Sequence, residues 1–444
     1  MSGALYGILT FVTLLAISWV ISQHPEEKAF LRIVMLSSFC YGVFISVFVR
    51  TIFGDILESP SYFPDAYFYL SYATSKVAEW RGEGALGYIP LATRGYTYFI
   101  AIIFLIFGQN IYAVIFAQLL LSSLISTLTF LIAREFFDIK TVKSSTLLIG
   151  FFPDLYVWAS FALKEVIAVF SICLAVLHFL KFRKHPNLVR FLATIGPLVF
   201  LLFVRPHVAF FLGFIFMLAF MWPVAIKKLI WLPIGVAIFA KFMSQAQLPS
   251  FLTIVSETHL PIYSRGEILV TGTLPEYSRM IISGQLLSNL LLGIGRYLIS
   301  PLPWQADNAY QAVIPGVVLW YLLLPVAIWG AIGAIRARKH VYILLVVVLF
   351  LIFWYGLFLT GTDPRWRLMI MPFMCIFSAY GFKLLKRSLS GVTMWISMEF
   401  AIGFFLSLYA LGLKFVLSVL MPILAIGTLV SLNVFRKHTG EVVK

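Results

Sequence analysis

Charge is scarce in this sequence, and four short segments set it among aromatic or apolar residues. The first is Tyr62-Phe63-Pro64-Asp65-Ala66-Tyr67-Phe68-Tyr69. A carboxylate framed by aromatics can act as a general base toward a hydroxyl, and the same position equally suits a helix N-cap. The second is Phe152-Pro153-Asp154-Leu155-Tyr156, followed by Leu163-Lys164-Glu165. Glu165 opens a helix, where the dipole favours an acid whatever its job, and Lys164 beside it offers a cation to an anionic substrate. Pro153-Asp154 reads as ordinary turn chemistry.

The third segment, Phe203-Val204-Arg205-Pro206-His207, sets a guanidinium beside a proline break between two apolar runs. The fourth, Gly361-Thr362-Asp363-Pro364-Arg365-Trp366-Arg367, puts two arginines, an acid and a tryptophan together. Arginine's planar fork donates bidentate hydrogen bonds to phosphate, so Arg205, Arg365 and Arg367 are candidate anion ligands. The competing reading makes them interface anchors or snorkelling side chains. His207 has a weaker claim to substrate, because a lone histidine is more often a packing residue. Arg265, Glu267, Glu276, Arg279 and Arg296 lie in a long stretch of mixed polarity that suits a substrate cover, with Arg296 as its candidate contact.

The elements that must position these residues follow from composition. The 444-residue chain is 61% hydrophobic and 11% charged, far from the soluble norm of about 45–50% apolar and about 25% charged. This implies an all-α polytopic membrane protein forming a single domain over 1–444. Runs near 4–22, 31–53, 112–133, 144–162, 165–181, 190–204, 208–224, 229–243, 312–335, 341–360, 368–382, 390–411 and 415–434 give about 13 candidate transmembrane helices. The apolar stretch Tyr96–Gly108 is short enough to be interfacial. Basic clusters at Lys181/Arg183/Lys184, Lys227/Lys228, Arg336/Arg338/Lys339, Lys383/Lys386/Arg387 and Arg436/Lys437 fall on one side by alternation, which makes that side cytoplasmic. Two long loops, 54–111 with interfacial helices and 244–311, then lie on the non-cytoplasmic side, together with all four charged segments.

The net charge of +15 is accounted for by those clusters and implies no nucleic-acid partner. Cys40, Cys173 and Cys375 sit in apolar runs without CxxC or histidine at ligand spacing, which excludes zinc and disulfide frameworks. The sequence has no GxxxxGK[ST], no GxGxxG after a strand, no HExxH and no GxSxG, so nucleotide hydrolysis, zinc proteolysis and serine hydrolysis lack their motifs.

In order, Pro64-Asp65-Ala66, the segment ending Phe107-Gly108, Phe152-Pro153 leading to Leu163-Lys164-Glu165, Phe203-Val204-Arg205-Pro206 and Arg365-Trp366-Arg367-Leu368-Met369-Ile370-Met371-Pro372 form a series. It resembles the GT-C membrane glycosyltransferases, most of all the branch containing protein O-mannosyltransferases and bacterial lipid A aminoarabinose transferases. The resemblance implies a polyprenyl-phosphate sugar donor and a glycan, lipid or protein acceptor approaching at the outer face of the cell membrane. It also implies transfer with inversion. Asp65 matches the first-loop acid that serves such enzymes as base, and Glu165 the second-loop acid, commonly Asp there. Ala66 departs from the adjacent pair of acids frequent in the O-mannosyltransferases. Arginines suffice to hold the phosphate, so no metal or other cofactor is expected, although oligosaccharyltransferases of the same superfamily use a metal. Two other classes stay open: an O-antigen polymerase or ligase, distinguished by product length, and a lipid or solute transporter, which calls for inverted halves and midplane charges.

Overall fold

The computed structural model describes residues 10, 12–13, 25–57, 64–84, 89–221, 260–264, 267–272, 293–295, 297–299, 308–337, 339, 341–358 and 364–385. The chain divides into two compact units, Met1–Arg387 and Ser388–Lys444. The second unit lies outside the described residues, as do the expected runs at 229–243, 390–411 and 415–434 and almost all of 4–22.

The first unit is built from α1 (Pro25–Leu57), α2 (Pro64–Trp80), α3 (Leu91–Phe107), α4 (Ile111–Arg134), α5 (Ile139–Gly150), α6 (Pro153–Ala159) and α7 (Glu165–Lys184). It continues with α8 (Leu188–Leu202), α9 (Pro206–Met221), α10 (Ile314–Arg336), α11 (Tyr342–Phe358) and α12 (Met371–Leu385). Among the described residues four stretches are long and apolar enough to cross a membrane: Glu26–Phe53, Ile111–Arg134, Glu165–Lys184 and Gln311–Arg336. Shorter apolar helices cover Ala92–Phe107, Leu188–Leu202, Pro206–Phe220, Tyr342–Tyr355 and Met371–Leu385. The chain is an α-helical membrane protein.

Two details depart from the sequence reading. The run 144–162 is not one helix. It breaks into α5 and α6 at Phe151-Phe152, because Pro153 lacks an N–H and disfavours helical backbone in the residue before it. Within 244–311, Leu260–Ser264 and Glu267–Gly272 pair as an antiparallel β-hairpin with an irregularity between Ile262 and Tyr263. Ile262, Tyr263, Ile268, Val270 and Thr271 favour strands, and the two residues between the segments suit a tight hairpin.

Caps and close contacts fix the helix ends that carry charge. Asn110 accepts a hydrogen bond from the Tyr112 N–H at 2.9 Å at the start of α4, and Asn187 accepts one from Arg190 N–H at 2.8 Å at the start of α8. Gly330 of α10 and Gly381 of α12 allow the backbones to touch. A Cβ on Gly330 would stand 1.9 Å from the Phe377 carbonyl oxygen, and one on Gly381 2.1 Å from that of Val326. This crossing anchors α12 and, just before it, the 3₁₀ turn Pro364–Met369 that bears both arginines.

Candidate functional site

Four elements distant in sequence bring charge together. Proline at the first position of α2 starts a helix with Asp65 in its first turn. Asp65 Oδ2 accepts a hydrogen bond from Arg365 Nη1 at 2.9 Å, the acid side chain 45% exposed and the arginine 20%. Glu165, the first residue of α7, is buried, and its Oε1 accepts a close charge-assisted bond from Arg205 Nη2. Arg205 sits in the break between α8 and α9, where Pro206 forces a new start. Glu165 Oε2 and Arg205 Nε find no hydrogen-bond partner among the described residues.

Lys164 lies between these pairs. Its Nζ donates to the Ala92 carbonyl at 2.8 Å and stands 5.7 Å from the centre of the Tyr69 ring. Burial, then the neighbouring Arg205, push the lysine down to about 7. The charges of Asp65 and Arg365 also act on it, so the five residues share one electrostatic environment. Tyr69, one helical turn beyond Asp65, is buried edge-on against Tyr96 at 5.1 Å. Burial, then Glu165 and Asp65, push its hydroxyl up. Tyr96 in turn accepts a hydrogen bond from Gln118 Nε2 inside α4.

Asp65, Lys164, Glu165, Arg205 and Arg365 are thus placed together, while Arg367 and His207 make other contacts. Arg367 is fully buried, with its guanidinium 5.6 Å from the Trp320 ring centre and Nη1 3.4 Å from the Leu298 carbonyl. A 3₁₀ turn of three residues points side chains two apart in different directions, which separates Arg367 from Arg365. His207 is a packing residue: its ring stacks on Trp354 at 5.4 Å and Nε2 lies 3.3 Å from the Tyr355 hydroxyl. Arg296 lies outside the described residues.

Tyr69 and Tyr355 carry no role in the sequence reading, and Asp154 only that of a turn residue. The i, i+4 spacing from Asp65 was the signal for Tyr69. Tyr355 stacks between Tyr297 at 5.7 Å and Trp366 at 5.8 Å. Asp154, assigned to a turn, is 1% exposed. A cavity of about 250 Å³ between α1 and α4, lined by Val43, Arg50 and Tyr112 among others, includes none of the five clustered residues. No cluster of three or more His, Cys, Asp or Glu suited to a metal occurs among the described residues.

No protein-family model matches the sequence, and no curated protein sequence does. Among solved structures the chain is similar to the archaeal oligosaccharyltransferase AglB from Archaeoglobus fulgidus in complex with an inhibitory peptide and a dolichol-phosphate. It is similar in the same degree to the Archaeoglobus fulgidus oligosaccharyltransferase in its apo form and tethered to an acceptor peptide containing the NVT sequon. In each case identity is 14% and the TM-score 0.44, over 87% of this chain and 54% of the other. The chain therefore spans about half the length of the protein it matches.

Proposed function

We propose that the protein is a GT-C-type membrane glycosyltransferase that moves one sugar from a polyprenyl-phosphate donor to a hydroxyl acceptor on the non-cytoplasmic side, with inversion. The observation that carries this reading is the meeting of two carboxylates and three cations from four distant segments at the ends of apolar helices. Asp65, the more exposed acid, takes the acceptor proton. The acceptor oxygen then attacks the anomeric carbon opposite the phosphate, and the carbon–oxygen bond to phosphate breaks with its electron pair going to the leaving group. Arg365, with Arg205 and Lys164 behind it, stabilises that charge.

Arg365 donates a hydrogen bond to Asp65, so the donor phosphate competes with the base for the same guanidinium. Asp65→Asn should accordingly hold polyprenyl phosphate at least as tightly as the unmodified protein.

The deciding experiment incubates purified protein with a polyprenyl-phosphate sugar and membrane glycans, and analyses products by mass spectrometry. Addition of a single sugar with release of polyprenyl phosphate supports the proposal. Polymer or whole-glycan transfer would replace it with a polymerase or ligase, and flux without bond cleavage with a transporter.

A further inference from the structure

Beside the candidate site lies a second charged cluster that sugar transfer does not use. Asp154 is the second residue of α6, 1% exposed, and neither of its carboxyl oxygens has a hydrogen-bond partner among the described residues. A buried carboxylate in that condition is costly and calls for an explanation. Its surroundings are specific. A Cβ built on Gly316, in the first turn of α10, would stand 1.7 Å from Asp154 Oδ1. The carboxylate therefore fills the notch that the glycine leaves. One turn further along the same face of α10 is Trp320, and over its ring lies the buried guanidinium of Arg367. Acid and cation thus occupy successive turns of one helix face, and Arg367 acts electrostatically on the carboxylate.

Arg367 and Arg365 belong to the same 3₁₀ turn, Pro364–Met369, in which Pro364 and Arg367 are buried and Arg365 reaches out to Asp65. We propose that Asp154 is a positioning residue: by holding Arg367 against α10, it sets the 3₁₀ turn so that Arg365 faces Asp65 and the donor phosphate. The phosphate part of this claim rests on the transferase reading, whereas the orientation of Arg365 toward Asp65 does not.

Two readouts keep these parts separate. The first is carbodiimide modification of Asp65, mapped by peptide mass spectrometry, which needs no donor. Asp154→Asn should raise Asp65 labelling toward the level of Arg365→Gln. The second is affinity for polyprenyl monophosphate in detergent. Asp154→Asn should weaken it by about 5- to 20-fold, a middling value for coupling within one network of residues, and the loss should vanish in the Arg365→Gln background. Any fall in melting temperature should persist there, which a merely structural role would not separate.

Trp320→Phe, a milder change to the same support, should shift both readouts in the same direction by less, and serves if Asp154→Asn fails to fold. Unchanged Asp65 labelling, or a loss of phosphate affinity that simply adds to that of Arg365→Gln, would overturn the proposal. Raised labelling with no phosphate binding by any form would retain the positioning role and reject the transferase reading.

Discussion

Helix α7 carries an ion pair at each end, and the two are built differently. At its first residue Glu165 pairs with Arg205, with side-chain exposures of 1% and 11%. About 30 Å away along 20 residues, Lys184 pairs with Glu135, the lysine 58% exposed and the acid 18%. Arg134–Glu27 at 3.2 Å and Lys383–Asp138 at 2.6 Å keep the latter company. Exposed pairs of this kind contribute about 0–1 kcal/mol each. They fasten helix ends where basic residues gather. The buried pair has lost more hydration than its Coulomb attraction reliably returns, so stability is a poor reason to keep it. Of the two ends, the one that buries its charge is where chemistry is to be sought.

The largest effect that separates the ends is on folding. Arg205→Ala strands Glu165 without its partner and should cost about 3–5 kcal/mol, whereas Lys383→Ala should cost less than about 1 kcal/mol. Denaturant unfolding in detergent measures both, and equal shifts would erase the contrast.

A smaller effect sharpens the role of Arg365. Arg365→Lys keeps the charge but not the planar fork, and should reduce donor affinity by about 10-fold or more if phosphate is bound in two-point fashion. Binding of polyprenyl phosphate reports this, and unchanged affinity would make Arg365 an anchor like Lys383.

The smallest is a pH effect. Lys164 is held at about 7 in the folded protein and near about 10.4 when unfolded, so the unfolded chain binds more protons between those values. Stability should therefore rise from about pH 7 to about pH 10, while below about pH 7 the full penalty of the buried charge persists. Lys164→Met should flatten that rise in melting temperature, and an identical slope would show that Lys164 is not the titrating group.

Much of the candidate site was legible in the sequence, because Asp65, Glu165 and Arg205 each stand where an apolar run stops beside a proline or a helix start. Such places are readable locally. The separation of Arg365 from Arg367 was not, since it depends on a 3₁₀ turn that hydropathy does not register. Asp154 was missed for a different reason. Its burial requires a glycine 162 positions later to leave it room, and only tertiary packing reveals that. The break of 144–162 could have been anticipated from Pro153, but averaging over an apolar window hides a single proline.

Turnover of a polyprenyl-phosphate sugar by two matched carboxylate variants tests the central claim most directly. Asp65→Asn alters the acid beside the buried pair, and Asp138→Asn the acid of an exposed pair at the opposite end. With folding verified for each, Asp65→Asn should lose roughly 10²–10⁴-fold in turnover, the usual share of a general base, while Asp138→Asn stays close to the unmodified rate. Near-normal turnover by well-folded Asp65→Asn would contradict the account and make Glu165 the first alternative base to test.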